Sequence, residues 1–270
     1  MHLWQAAVLG VVQGLTEFLP ISSTAHVEIA RSFLHYPSQE MGAAFTAVIQ
    51  LGTLAAVLIY FRSDLFRAFG GWVKSFKGGR QDEASRLGWA VFVGTLPIVA
   101  LGLAFQKSIE SNLRTPTVIA WALILVAVVM FVAERVSPLR RAIASATVVD
   151  GLVMGMCQAC ALIPGVSRSG STISGALFCG FDREAAARFS FLLSIPAVLL
   201  AGVFEFFKYR HQIVTAGFAE IAAATAAAFV VGYLSIDFLL KFLRKNSLIP
   251  FIVYRVIIGI LILTVLRGQL

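Results

Sequence analysis

Gln13-Gly-Leu-Thr-Glu17-Phe-Leu-Pro20-Ile-Ser22-Ser23-Thr24-Ala-His26 is a polar constellation set inside an otherwise apolar stretch, Trp4 to Ile29. Proline disfavours helical backbone in the residue before it, so a helix entering this stretch is predicted to end near Leu19. Ser22, Ser23 or Thr24 is suited to cap a second helix beyond the break. Gln13 and Glu17, four residues apart, share a face of the first helix, and His26 falls one turn into the second. The segment therefore reads as a broken helical hairpin with a carboxylate, three hydroxyls and an imidazole at the break.

The surroundings explain why such a break matters. Of the 270 residues, 59% are hydrophobic and 13% charged, and mean hydropathy is +0.86; soluble domains carry about 25% charged residues. Val118–Ala133 and Ile249–Leu266 are almost free of charge, Arg255 being the exception in the second. Roughly 20 such residues cross a bilayer as a helix. The chain reads as an all-α integral membrane protein forming one membrane domain over 1–270. Six spans are predicted, at Gly42–Phe61, Leu87–Phe105, Thr115–Ala133, Ala185–Phe207, Phe218–Leu240 and Leu248–Leu266. A second broken stretch runs from Thr147 to Gly180, interrupted at Pro164-Gly165. The polar segment Arg62–Arg86 is taken as a loop, and the N-terminus lacks the basic start of a cleaved signal.

Irregular backbone at membrane depth is tolerated only inside protein or around a wet cavity, which makes both breaks candidates for the working site. They also correspond. Pro20 and Pro164 lie 144 positions apart, as do Phe45 and Phe189, each of which opens a similar apolar run. Two halves, 1–134 and 147–267, would each hold one broken hairpin and three spans, the odd number inverting the second half, and paired broken helices point to a shared site near the midplane.

The net charge of +8 is assigned to loop topology rather than to nucleic acid. Twelve Lys and Arg fall on one face (Arg62, Arg67, Lys74, Lys77, Arg80, Arg86, Arg135, Arg140, Arg141, Lys241, Arg244, Lys245) and six on the other (Arg31, Lys107, Arg114, Lys208, Arg210, Arg267). The richer face is read as cytoplasmic, which sets both termini and the first hairpin outside. Cys157 and Cys160 have metal-site spacing but no His or carboxylate beside them, and are read as packing residues.

The second break carries Pro164-Gly-Val-Ser167-Arg168-Ser169-Gly170-Ser171-Thr172. Glycine allows a tight turn whose N–H groups form an anion-binding nest, the helix start adds its positive dipole end, and Arg168 offers a rigid fork of donors. The candidate phosphate-binding set is Gln13, Ser22, Thr24, Ser167, Ser169, Gly170, Ser171 and Thr172. A nucleophile, a base and an anion cradle make a phosphoryl-transfer kit. Blander readings are that Glu17 and His26 only satisfy each other, and that the second motif is a helix contact of small residues.

These strings, Leu19-Pro-Ile-Ser-Ser-Thr-Ala-His26 and Pro164-Gly-Val-Ser-Arg-Ser-Gly-Ser-Thr172, resemble the signature motifs of the undecaprenyl-diphosphatase family of bacitracin-resistance phosphatases. Val48-Ile-Gln-Leu-Gly52, Phe189-Ser-Phe-Leu-Leu193 and Ile249-Pro-Phe-Ile-Val-Tyr-Arg255 extend the resemblance along the chain. It implies hydrolysis of undecaprenyl diphosphate to the monophosphate carrier of wall synthesis, in the bacterial plasma membrane, on broken helices in an inverted repeat. Gln13 stands where the family often has glutamate, so a second carboxylate for a metal is missing.

Ser23 is expected to attack phosphorus with His26 as base and Arg168 on the phosphoryl oxygens, direct attack by a His26-activated water being the alternative. Glu17 beside a diphosphate is repelled unless a cation intervenes. Either Mg²⁺ or Ca²⁺ bridges Glu17 to the phosphates, or Glu17 orients His26. Arg255 and Asp237 are expected to pair or to line the cavity, and Glu134, Glu205 and Glu220 to be interfacial. The competing class is a lipid-phosphate transporter or flippase using the same cradle. The partners expected are the polyprenyl diphosphate and the bilayer, with a homodimer left open.

Overall fold

The computed structural model describes residues 2–34, 39–76, 82–215 and 217–266; of these, 39–44, 47, 106–112, 206 and 209–215 are described for their backbone alone. Lys77, Arg80 and Arg267, counted among the loop charges, lie outside the described residues, as does the end of the second half at 267. Among the described residues the regular structure is helical: α1 (Leu3–Phe18), α2 (Ser23–Phe33), α3 (Gln39–Tyr60), α4 (Arg62–Ser75), α5 (Glu83–Asn112), α6 (Pro116–Val136), α7 (Val148–Cys160), α8 (Arg168–Phe178), α9 (Arg183–Thr215), α10 (Phe218–Leu243) and α11 (Ile249–Leu261), with a 3₁₀ turn at Ile143–Ser145 and a π turn at Ile262–Leu266.

Five helices are long and apolar enough to cross a membrane, at Glu83–Phe105, Pro116–Val136, Arg183–Glu205, Phe218–Leu243 and Ile249–Leu266. They match five of the six expected spans. The sixth is more complicated. Gly42–Phe61 falls on α3, whose stretch Val48–Tyr60 turns through 76° into α4 at Phe61. The expected loop from Arg62 to Arg86 is corrected here: it contains α4. Its charges disguised an amphipathic helix. Phe66, Phe69, Val73 and Phe76 recur at helical spacing on an exposed stripe, whereas Ala68 and Gly71 pack against the start of α5 so closely that a Cβ on Gly71 would sit 2.5 Å from the Ser85 nitrogen.

The broken stretches pack by the same means. α1 lies against α10, and α7 against α5. A Cβ on Gly10 would come 2.2 Å from the Ala224 carbonyl oxygen, and one on Gly155 would come 2.2 Å from that of Gly94. Small residues let helix backbones approach where lipid offers no hydrophobic drive between spans. The two glycines are 145 positions apart, and so are the first residues of the 11-residue helices α2 and α8. Phe18, Phe61, Phe189 and Phe191 fill the space between.

The charge-rich loops gather at one end. Arg188 binds Asp64 at 2.6 Å, Arg244 binds Glu184 at 2.7 Å, and the Arg86 guanidinium donates to the Ala144 carbonyl. Arg141 donates to both Asp150 oxygens, and that hydrogen-bonded carboxylate holds its guanidinium above the ordinary range. One expectation changes. Asp237 pairs with Lys241 and Tyr60, not with Arg255. Glu134 is buried and accepts from Arg183, tying α6 to the start of α9.

Candidate active site

At the first break, α1 stops at Phe18 and Leu19 is extended (φ −66°, ψ 140°), as the following proline demands. Ser22 then takes φ 76° before α2 begins at Ser23. At the second break Ser167 takes φ 70° before α8 begins at Arg168. Non-glycine residues in this region are uncommon and strained, and such strain concentrates at functional sites. Gly165 (φ 95°) is needed for a different reason. A Cβ there would lie 2.5 Å from the Ile119 carbonyl oxygen, so only glycine lets the second break seat against α6.

The two helix starts converge on Glu17. Its Oε1 accepts from Arg168 Nη2 at 2.6 Å. Its Oε2 accepts from Ser23 Oγ at 2.6 Å and from Gln13 Nε2 at 2.9 Å. Residues 151 positions apart thus share one carboxylate. A charge-assisted hydrogen bond of this length to Ser23 is strong, and Glu17 stands where a base for that hydroxyl must stand. The pair is nearly sequestered, the Glu17 side chain being 7% exposed and that of Arg168 19%.

His26 is placed otherwise than the sequence spacing suggests. Nδ1 faces the Ser22 carbonyl at 2.7 Å and Nε2 faces the Tyr254 hydroxyl at 2.8 Å, with the two rings stacked. A carbonyl oxygen only accepts, so Nδ1 carries the hydrogen and the neutral ring takes the Tyr254 proton donor on Nε2. The turn at Ser22 aims its carbonyl back at the imidazole, while Ser23 donates to Glu17.

A cavity opens in front of this group, lined by Glu17, Ser22, Ser23, Thr24, Gln50, Ile98, Ala161, Ile163, Gly165, Ser167 and Arg168. Of the candidate phosphate-binding residues, Ser22, Thr24 and Ser167 line it. The others do not. Gln13 is buried behind Glu17. Ser169 donates to the Leu19 carbonyl at 3.1 Å, linking the two breaks. Gly170 donates its N–H to Ser167 Oγ, Ser171 donates to the Arg168 carbonyl, and Thr172 hydrogen-bonds Ser190 at 2.5 Å. The reason is helical: once α8 starts at Arg168, the following residues turn toward neighbouring helices. A second, smaller recess also borders the Glu17–Arg168 pair, among Phe18, Thr53, Leu54, Val57, Ser169, Ser190, Phe191, Ser194 and Val198.

Among the described residues no group of three His, Cys, Asp or Glu side chains is placed to hold a metal. Glu17 is one carboxylate whose oxygens already face a guanidinium, a hydroxyl and an amide. This donor set does not make a resident metal site. The three cysteines are unpaired. Sequence reasoning missed Gln50, the only amide in its apolar run, Tyr254, and the position of Arg255, whose guanidinium bonds carbonyls at both breaks.

With the site in view, comparison with known proteins is decisive. The family model described as bacitracin resistance protein BacA matches residues 6–261. The chain belongs to the BacA family. Similar proteins include an undecaprenyl-diphosphatase of Chloroherpeton thalassium, 47% identical over 98% of this chain and 97% of the relative. That of Chlorobaculum tepidum is 47% identical over 100% and 99%. An undecaprenyl-diphosphatase 2 of Streptomyces coelicolor is 46% identical over 97% and 94%. The BacA match takes in both breaks and every side chain that meets at Glu17.

Proposed function

We propose that the protein hydrolyses undecaprenyl diphosphate to undecaprenyl phosphate and inorganic phosphate. The observation that carries this reading is the sharing of Glu17 by the Ser23 hydroxyl and the Arg168 guanidinium, which puts nucleophile, base and anion grip on the two oxygens of one side chain. The relatives' printed name supplies the substrate. Ser23 Oγ attacks the terminal phosphorus as its proton passes to Glu17, and the bond from that phosphorus to the bridging oxygen breaks, releasing the prenyl monophosphate. Arg168, paired with Glu17 in the cavity wall, offsets the repulsion a lone carboxylate would exert. Water, giving its proton to His26 once the Tyr254 hydroxyl releases Nε2, then attacks the phosphoserine phosphorus, and Ser23 Oγ leaves with the proton that Glu17 holds.

The same reading has the reaction return the lipid carrier for cell-wall synthesis and cause bacitracin resistance. It places the cavity toward the outer face of a bacterial plasma membrane, on the charge count, and treats residues 1–134 and 147–267 as an inverted repeat, on the 145-residue correspondence of α2 with α8. A divalent cation, Mg²⁺ or Ca²⁺, is proposed to arrive bound to the diphosphate, since the protein's own donors do not hold one. The deciving experiment for the attacking group is rapid-quench of purified protein with labelled polyprenyl diphosphate. A phosphoenzyme at Ser23 is expected; phosphate release with none formed would favour direct attack by water.

A further inference from the structure

We infer that Arg255 is the positioning residue of this reaction centre: it locks the two helix breaks in the register that lets Ser23 and Arg168 meet at Glu17, and it leaves the site with a net positive charge. The inference rests on the phosphatase reading above. Arg255 is 0% exposed in the middle of α11, where an unpaired cation is costly unless its donors are all used. Its donors go to backbone carbonyls and, among the described residues, to no carboxylate. Nη1 reaches the Pro20 carbonyl at 3.2 Å, and Nη2 reaches those of Gly165 at 3.1 Å and Val166 at 3.0 Å. Nε and Nη2 also reach Leu123 at 3.2 Å and Ala122 at 3.4 Å on α6.

Pro20 and Gly165 hold the same place in the two breaks, each two residues before the serine with positive φ. One planar fork therefore binds equivalent carbonyls of both breaks and anchors them to α6, a geometry that an ammonium cannot reproduce. The guanidinium also lies under the first turn of α8, since a Cβ on Gly170 would come 3.2 Å from Nη1. Glu17 and Arg168 cancel each other's charge. What remains to attract a diphosphate is the charge of Arg255, felt through the backbone it holds.

The test compares wild type, Arg255→Met and Arg255→Lys in detergent, with thermal melting followed alongside. Phosphate release by wild type comes first; its failure overturns the phosphatase reading and is seen before any variant is made. Register is read without activity, by the distance between spin labels on Cys160 and on Thr24→Cys, with Cys157 and Cys179 replaced by alanine. Arg255→Met is expected to broaden that distance distribution. It is expected to lower kcat by about 100-fold, the scale of an ångström of misplacement, and to weaken inhibition by orthovanadate, which mimics the transferring phosphoryl group, in parallel. Arg255→Lys restores charge without the fork, and should regain at most about a tenth of the lost activity; it carries the test if the methionine variant does not fold. A merely structural role would lower kcat through loss of folded protein and leave the vanadate inhibition constant unmoved. That result, an unchanged spin-label distance, or a kcat within about threefold of wild type would overturn the inference.

Discussion

The two helix breaks use one backbone device and carry different chemistry. Each begins its second helix directly after a serine with positive φ, Ser22 at 76° and Ser167 at 70°. In the first break the next residue is Ser23 and the fourth is His26; in the second they are Arg168 and Ser171. One break thus delivers a hydroxyl and an imidazole, the other a guanidinium and a further hydroxyl. The helices that precede the breaks differ too. Gln13 donates to Glu17 at 2.9 Å, while Gln158, 145 positions later, is fully buried with neither amide atom hydrogen-bonded among the described residues. The comparison teaches that a repeated scaffold fixes where side chains converge, and that unequal loading of the two copies makes the convergence reactive.

The comparison breaks most severely at Ser23. Ser23→Ala is expected to cost on the order of 10⁴ in kcat, the loss typical of removing a nucleophile whose partners act as a unit. Phosphate release from a polyprenyl diphosphate measures it, and retention of more than a tenth of wild-type activity would move attack to water. Glu17→Gln keeps the shape, removes the base for Ser23 and leaves Arg168 uncompensated. It should lower kcat by about 10²–10³ while lowering KM, because the repulsion of the diphosphate goes with the charge. A raised KM would mean that Glu17 serves binding instead.

Excess chelator should reduce turnover by at least about tenfold, with recovery on adding Mg²⁺ or Ca²⁺. Unaltered turnover would remove the cation from the proposal. The smallest effect sharpens the contrast between the glutamines. Gln158→Leu replaces an unpaired buried amide with an apolar group, and should leave the melting temperature unchanged or raise it, by up to ~1 kcal/mol in stability. Gln13→Leu strips a donor from Glu17 and should reduce activity. Equal behaviour of the two variants would contradict the unequal roles assigned to the copies.

Much of this was legible beforehand because apolar length and proline act locally. Five spans were read from composition alone, and both breaks from Pro20 and Pro164-Gly165. The break at Leu19 follows from a clash between neighbouring residues, which needs no tertiary information. The α4 helix is hidden from a reading of composition because its charges dominate the segment, while its apolar residues recur only as an exposed stripe. Arg255 was visible only as an arginine out of place in an apolar span. Its partners are carbonyl oxygens, which every residue has, so no sequence pattern announces them. Asp237, expected to pair with it, is four residues from Lys241 on the same helix, and the nearer cation wins.

The sequence by itself determined that the chain lives in a membrane, that two helices are interrupted inside it, and which polar side chains lie at the interruptions. Those are consequences of solvation and of backbone sterics, which act over a few residues. Tertiary structure decided the pairings: Ser23 with Glu17 rather than with His26, His26 with Tyr254, Arg168 with a carboxylate 151 residues away, and Arg255 with both breaks at once. Each depends on how helices far apart in the chain approach and turn. That is settled by packing of glycine against backbone at Gly10, Gly155 and Gly165, where contacts of a few ångströms fix the rotation of each half-helix and hence where its side chains point.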